Sequence, residues 1–254
     1  MVFIHKQGVR IAGVLALMIL VIVGTLAHTT AQAAEERKCF GDVPLITDCI
    51  EGRFLRFWEA NGGLSVFGYP ITGAFEQVNE DTGQVYLTQY FERQRFELHP
   101  ENSAPYDVLL GRLGAVKVDW ASPNWREEDA RARSYGFPEM PLYFEETKQN
   151  VGENLAAFWQ SNGLDIDGRA GKSRAESVSL FGMPLRAEKG SSAKPYTWQV
   201  YERAILEYHP EMAGRPVLGD RLGVWYVQTK CAGRLGANLF NSETCARVAG
   251  IAYP

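Results

Sequence analysis

Histidine and cysteine are scarce in this chain of 254 residues, with four of each, and their placement narrows the chemistry open to it. His5 and His28 lie in an apolar N-terminal stretch, so only His99 and His209 are left to serve a mature protein. No Cys-x-x-Cys spacing is present, which removes the usual framework of a structural zinc site. No Gly-x-Ser-x-Gly elbow precedes either remaining histidine, so a serine-hydrolase arrangement has no anchor. Basic charge is in deficit too, with 26 Lys and Arg against 30 Asp and Glu. Nucleic acid, whose binding draws on a basic surface to release counterions, is therefore excluded as a partner. The long like-charge blocks of a disordered tail are also missing, and aromatic residues are plentiful at 12%.

Two motifs dissolve on counting. Gly168-Arg-Ala-Gly-Lys-Ser173 resembles a phosphate loop, but a Walker motif needs glycine where Ile166 stands. Asp165-x-Asp167-Gly168 places its glycine too early for a calcium loop and lacks the later ligands. A metal at Glu97, His99 and Glu101 would have one strong ligand, with the direction of its carboxylates broken by Pro100. No metal and no cofactor is expected.

What is present begins with an address. Lys6 and Arg10 precede an apolar run from Ile11 to Ala27, followed by Ala31-Gln32-Ala33, the three regions of a secretory signal peptide. Cleavage is expected after Ala33 or Ala34, making 1–33 the leader; uncleaved, the run would be the chain's one membrane contact, at the short edge of the roughly 17–25 residues that span a bilayer. Arg37 and Lys38 stand where a lipoprotein would have small residues before Cys39. An even cysteine count in an exported chain reads as disulfides. Pairing Cys39 with Cys49 and Cys231 with Cys245 closes the shortest loops and is the expectation. Cross-pairing would staple the two ends together.

The organisation shows when the chain is laid against itself. Phe57-Trp58-Glu59-Ala60-Asn61-Gly62 returns as Phe158-Trp159-Gln160-Ser161-Asn162-Gly163, and Phe67-Gly68-Tyr69-Pro70 as Phe181-Gly182-Met183-Pro184. The segment from Gln89 to Glu101 is matched from Gln199 to Glu211, and Arg112-Leu113-Gly114 by Arg221-Leu222-Gly223. Phe54, Phe57 and Trp58, like Leu155, Phe158 and Trp159, are spaced to share one face of a short helix. Asn61-Gly62 and Asn162-Gly163 stop it, the glycine taking the left-handed conformation. Residues 74–79, 84–91 and 94–98 read as three strands, with Pro100 and Pro210 closing the third.

The fold predicted is α+β: two repeated units, 39–116 and 143–226, each a short amphipathic helix followed by a small antiparallel meander. Either unit is too small to stand alone, so the two are expected to pack together. Ser122-Pro123 followed by 125–133 predicts a connecting helix within 117–142. An extra stretch from Asp165 to Ser179 is polar and expected on the surface. Residues 227–254 form a disulfide-closed C-terminal segment.

The run of aromatic helix, Asn-Gly-Gly-Leu, Phe-Gly-Tyr-Pro, Gln-Tyr-Phe-Glu-Arg, Phe-Glu-x-His-Pro-Glu and Leu-Gly-Arg-Leu-Gly resembles tandem repeats of uncharacterised exported bacterial proteins. It is distantly similar to the LGFP repeat of secreted, wall-associated bacterial proteins. That resemblance implies a module that holds proteins at the cell envelope and carries no catalytic residue of its own.

Within each unit the strongest chemical grouping is Glu97 with His99 and Glu207 with His209, on one strand face each, with Arg93 and Arg203 nearby in sequence. They suit hydrogen bonding to sugar hydroxyls; a structural role closing the meander, with the arginines as partners, is the alternative. Trp120, Trp125, Trp198, Trp225, Tyr86 and Tyr196 are candidates for stacking on a sugar or a protein. The function expected is non-catalytic association with the envelope or an extracellular polysaccharide. The alternatives are a scaffold for a protein partner and a glycan-cleaving hydrolase using Glu92, Glu97, Glu202 and Glu207.

Overall fold

The computed structural model describes residues 36–127, 142–192 and 194–253. The leader expected over 1–33 and most of the connecting helix expected over 125–133 lie outside the described residues. The fold is α+β, with two four-stranded and two two-stranded antiparallel sheets among the described residues.

In the first unit, strands β1 (Arg37–Lys38) and β2 (Ile50–Glu51) pair beside a disulfide between Cys39 and Cys49. Helix α1 (Gly52–Ala60) follows and buries Phe54, Leu55, Phe57 and Trp58. It ends as its sequence requires: Gly62 has φ 93°, and the Asn61 side chain donates to the Phe57 carbonyl. A short helix α2 (Gly63–Phe67) leads through the Phe-Gly-Tyr-Pro turn into β3 (Phe75–Val78), β4 (Val85–Tyr90) and β5 (Arg95–Leu98). A fourth strand, β6 (Val108–Leu110), completes the sheet, where three strands are predicted. Helix α3 (Leu113–Ala121) comes next.

The second unit runs through the same sequence of elements. The hairpin β7 (Tyr143–Phe144) and β8 (Gln149–Asn150) precedes α4 (Glu153–Ser161) and α5 (Arg174–Phe181). The sheet is β9 (Lys189–Ser191), β10 (Lys194–Val200), β11 (Ile205–Tyr208) and again a fourth strand, β12 (Val217–Gly219). Helix α6 (Leu222–Cys231) then carries a disulfide to Cys245 in α7 (Ser242–Ala249). Both disulfides are thus local. No helix among the described residues is long and apolar enough to cross a membrane.

Two local expectations need correction. Gly163 does not adopt a left-handed φ; a Cβ there would stand 2.6 Å from the Glu176 backbone, so close approach of α5 is what demands glycine. The polar insertion, expected on the surface, is only half so. Its second part forms α5, opened by a capping box between Ser173 and Glu176, and it buries Glu176 and Ser177. Hydrogen bonds that the carboxylate accepts, from the Ser173 backbone N–H first and then from the Ile166 N–H and the Ser173 hydroxyl, together with the charge of Lys172, outweigh burial and pull the Glu176 pKa down to about 2.

The two units share one core. Phe54, Phe57, Phe67 and Phe96 from the first are continuous with Leu155, Trp159, Phe181 and Tyr201 from the second. Edge-on ring pairs knit it, with Phe96 4.7 Å from Phe67 and 5.0 Å from Phe57. The seam is reciprocal. Neither α3 nor α6 has a side-chain N-cap, and in each an N–H of the first turn is met instead by a main-chain carbonyl of the opposite unit. The Glu202 carbonyl accepts from Ala115 N–H, and the Glu92 carbonyl accepts from Gly223 and Val224 N–H. Arg112 reaches the Glu202 carboxylate at 3.1 Å, and Arg221 pairs with Glu92. The other carboxylate oxygen accepts from the Phe-Gly-x-Pro turn, at Met183 N–H and Tyr69 N–H.

Such helix N-termini can approach only without a side chain. A Cβ on Gly223 would lie 1.8 Å from the Phe91 carbonyl oxygen, and one on Gly114 2.1 Å from that of Tyr201. Gly223→Ala and Gly114→Ala are each expected to cost about 1–3 kcal/mol or more. Gly41→Ala, which meets nothing within 4 Å, should stay within about 0.5 kcal/mol of the parent. Urea unfolding of the three variants checks the order; equal midpoints would contradict the seam.

Candidate functional site

The two Glu-x-His-Pro-Glu segments fold alike, at the exit of the third strand of each sheet. In the first unit the His99 ring sits against Tyr86, centroids 3.8 Å apart, with Nδ1 2.9 Å from Glu101 and Nε2 3.5 Å from Glu97. In the second, His209 stacks on Tyr196 at 4.4 Å, with Nδ1 2.9 Å from Glu211 and Nε2 3.1 Å from Glu207. Glu and His therefore share a strand face in both, as the two-residue spacing predicts.

Arg93 and Arg203 do not join them. They turn into the seam, where Arg93 Nε donates to the Gly219 carbonyl and Arg203 Nε to that of Leu110. Desolvation there lowers both guanidinium pKa values, opposed by the adjacent Glu92 and Glu202. Their expected place beside the histidines is corrected accordingly. The glutamates of the hydrolase reading are also dispersed. Glu92 and Glu202 brace the seam, and Glu97 is buried under Arg95 and Asn79, at 2.5 and 2.8 Å. Of the four, Glu207 lines the cleft described next.

The two sheet faces bearing these segments differ in what covers them. Over the first sheet, Tyr226 from α6 stacks on Tyr90 at 5.3 Å, and Phe240 from the C-terminal segment packs on Tyr90 and Phe75. The face is closed, and Thr88, Tyr90, Arg95, Glu97 and His99 are all buried. Over the second sheet, the repeat-equivalent positions hold smaller or different residues: Val200 for Tyr90, Ile205 for Arg95, Lys117 for Tyr226 and Ala121 for Lys230. A cleft of about 430 Å³ opens there, between α3, the sheet and the C-terminal tail.

Its lining is apolar at Val118, Ala121, Val200 and Ile205, and charged or polar at Lys117, Arg186, Lys189, Glu207, Asp220 and Tyr253. Trp198 and Tyr196 line it from β10, their rings 6.3 Å apart and steeply inclined. Asp220 is held by Lys117 Nζ at 2.7 Å and by the Tyr253 hydroxyl at 2.9 Å. Lys117 also reaches the Tyr253 oxygen and lies 4.9 Å from that ring's centre. Burial, with Asp220 beside it, pushes the Tyr253 hydroxyl far above the ordinary tyrosine range. The hydroxyl keeps its proton and donates it to Asp220.

Of the aromatic candidates, Trp125 and Trp225 are buried, Trp120 is exposed at 44%, and Trp198 and Tyr196 belong to the cleft. Lys117, Asp220 and Tyr253 escape the sequence reading. Position-by-position comparison of the repeats could have found the first, since Lys117 replaces an aromatic. Among the described residues, no group of three or more His, Cys, Asp or Glu is arranged to hold a metal ion.

Glu207, at the cleft, is wired to His209. Burial alone lowers the His209 pKa, but hydrogen bonds to Glu211 and Glu207 outweigh it, and the net shift is upward from 6.5. Its own backbone N–H first, and His209 second, hold Glu211 below the usual carboxyl range. A raised folded-state pKa places the stabilisation below the unfolded value and removes it as pH rises through the folded one. His209→Gln is therefore expected to destabilise below pH 6.5 and to have little effect at alkaline pH. An NMR titration should place the His209 midpoint above 6.5, with Glu211→Gln moving it down. A midpoint at or below 6.5 would contradict the pairing.

No family model, no curated protein and no solved structure matches this chain, so the cleft's role follows from its own residues.

Proposed function

We propose that this is a non-catalytic exported protein that binds a polysaccharide of the cell envelope or extracellular space through the cleft of its second unit. The observation that carries this is the lining: two aromatic rings beside fixed donors and acceptors in a cleft of about 430 Å³. That volume falls in the range of about 300–1,000 Å³ usual for small-ligand sites. Aromatic faces meet the C–H faces of a sugar ring, and Glu207, Asp220, Lys117 and Tyr253 match its hydroxyls. The N-terminal leader, the two disulfides and the resemblance to the LGFP repeat support an address outside the cytosol.

The first sheet's matching face is filled by the protein's own Tyr226 and Phe240. One site per chain is therefore expected, despite two repeats.

Co-sedimentation of the protein with purified envelope polysaccharide tests the reading. Trp198→Ala and Glu207→Gln should each weaken retention by about tenfold or more, while Trp120→Ala, an exposed ring outside the cleft, should not. Retention unchanged in the first two variants would sink it.

A second reading, a scaffold for a protein partner, is favoured by the exposed apolar strip of Val78, Val85 and Leu87 on the first sheet, at 54%, 56% and 39% exposure. A partner held by that strip would be lost in Val85→Lys and kept in Trp198→Ala.

A further inference from the structure

The cleft has an aliphatic as well as a polar and aromatic lining, and the aliphatic part points to the kind of sugar it takes. This step rests on the glycan reading above and adds the chemical class. Val118, Val200 and Ile205 form a floor of branched aliphatic side chains, nearly buried at 6%, 9% and 7% exposure, with Ala121 at its edge. None of these side chains can donate or accept a hydrogen bond. A ligand hydroxyl pressed onto that floor would lose its water and find no partner among them, which is unfavourable. An unsubstituted hexose carries hydroxyls around its ring, and its C–H faces are matched by Trp198 and Tyr196 rather than by this floor. The group that fits the floor is an apolar substituent projecting from the ring.

The neighbouring groups say how that substituent is joined. Ala121 and Ser122 lie where α3 ends, and the last carbonyls of a helix lack intrahelical partners. The Ser122 carbonyl accepts from Trp125 N–H; the Ala121 carbonyl and the Ser122 hydroxyl suit an N–H donor placed between ring and methyl. The polar groups of the lining, Glu207, Asp220, Lys117 and Tyr253, are offered to the remaining hydroxyls. The first unit shows how particular this lining is. With Tyr90, Arg95, Tyr226 and Lys230 at the matching positions, the same place is packed with bulk and charge.

We propose that the cleft binds a glycan containing an N-acylated amino sugar, with the acyl methyl on the Val118–Val200–Ile205 floor and the ring against Trp198. Two sources supply that chemistry: chitin-type chains and the bacterial wall's amino-sugar backbone.

Isothermal titration of the protein with three saccharides decides it. The probes are the N-acetylglucosamine trimer, the glucose trimer of the same linkage, and the N-acetylglucosaminyl-N-acetylmuramic acid disaccharide. At least one acetylated ligand should bind about ten- to a hundredfold more tightly than the glucose trimer, the discrimination one small apolar group provides. Whichever acetylated ligand binds better identifies the source. Ala121→Leu, at an exposed helix end, should fill the bay and bring the acetylated ligand down to the level of the glucose trimer. A glucose trimer that binds as tightly as both acetylated ligands overturns the N-acyl assignment and leaves glycan binding standing. No binding by any of the three overturns both.

Discussion

The constraint on which the structure depends is that two helices begin without caps of their own. The first N–H groups of α3 and α6 point into protein, and unpaired they would carry the cost of buried donors. Each finds its acceptor in the glutamate carbonyl of the turn between the second and third sheet strands of the other unit. Everything near the seam is arranged around that exchange. Glycine is required at 114 and 223 so that the chains can meet, and the Glu92 and Glu202 carboxylates tie the turn, the strand and the opposite arginine into one junction. The blocks that recur most plainly along the chain are the parts of this junction.

That explains what was legible and what was not. Helix α1 announces itself because Phe54, Phe57 and Trp58 fall on one face and Asn61-Gly62 ends it, and β3 to β5 because their runs are bounded by the Asp81-Thr82-Gly83 turn and Pro100. Helices α3 and α6 give no such stripe. Leu222, Val224, Trp225, Tyr226 and Val227 are buried around much of α6, since it is covered by the sheet on one side and the C-terminal segment on another, so no helical period stands out. Strands β6 and β12 are three residues each, too short for alternation to show. Asn162-Gly163 is read correctly as a stop for a reason that holds only in the first copy.

The site was half visible. Glu and His on a common face follow from strand geometry and appear in both units, but that pairing builds the end of the meander in each, and recurrence alone cannot separate structure from function. The cleft arises where the repeats disagree. Val200, Ile205 and Lys117 are ordinary residues in isolation, and they gain meaning only against Tyr90, Arg95 and Tyr226. Shared positions in this protein hold the two halves together, whereas the divergent ones leave one half with room for a guest.

The crossed caps also set a schedule. Arg221 and Glu92 are 129 residues apart, and the donors that complete the first unit's junction come just after Arg221. A chain emerging from its N-terminus holds that junction open until most of its length is free. Closure of the first unit's junction waits on the arrival of Gly223 and Val224.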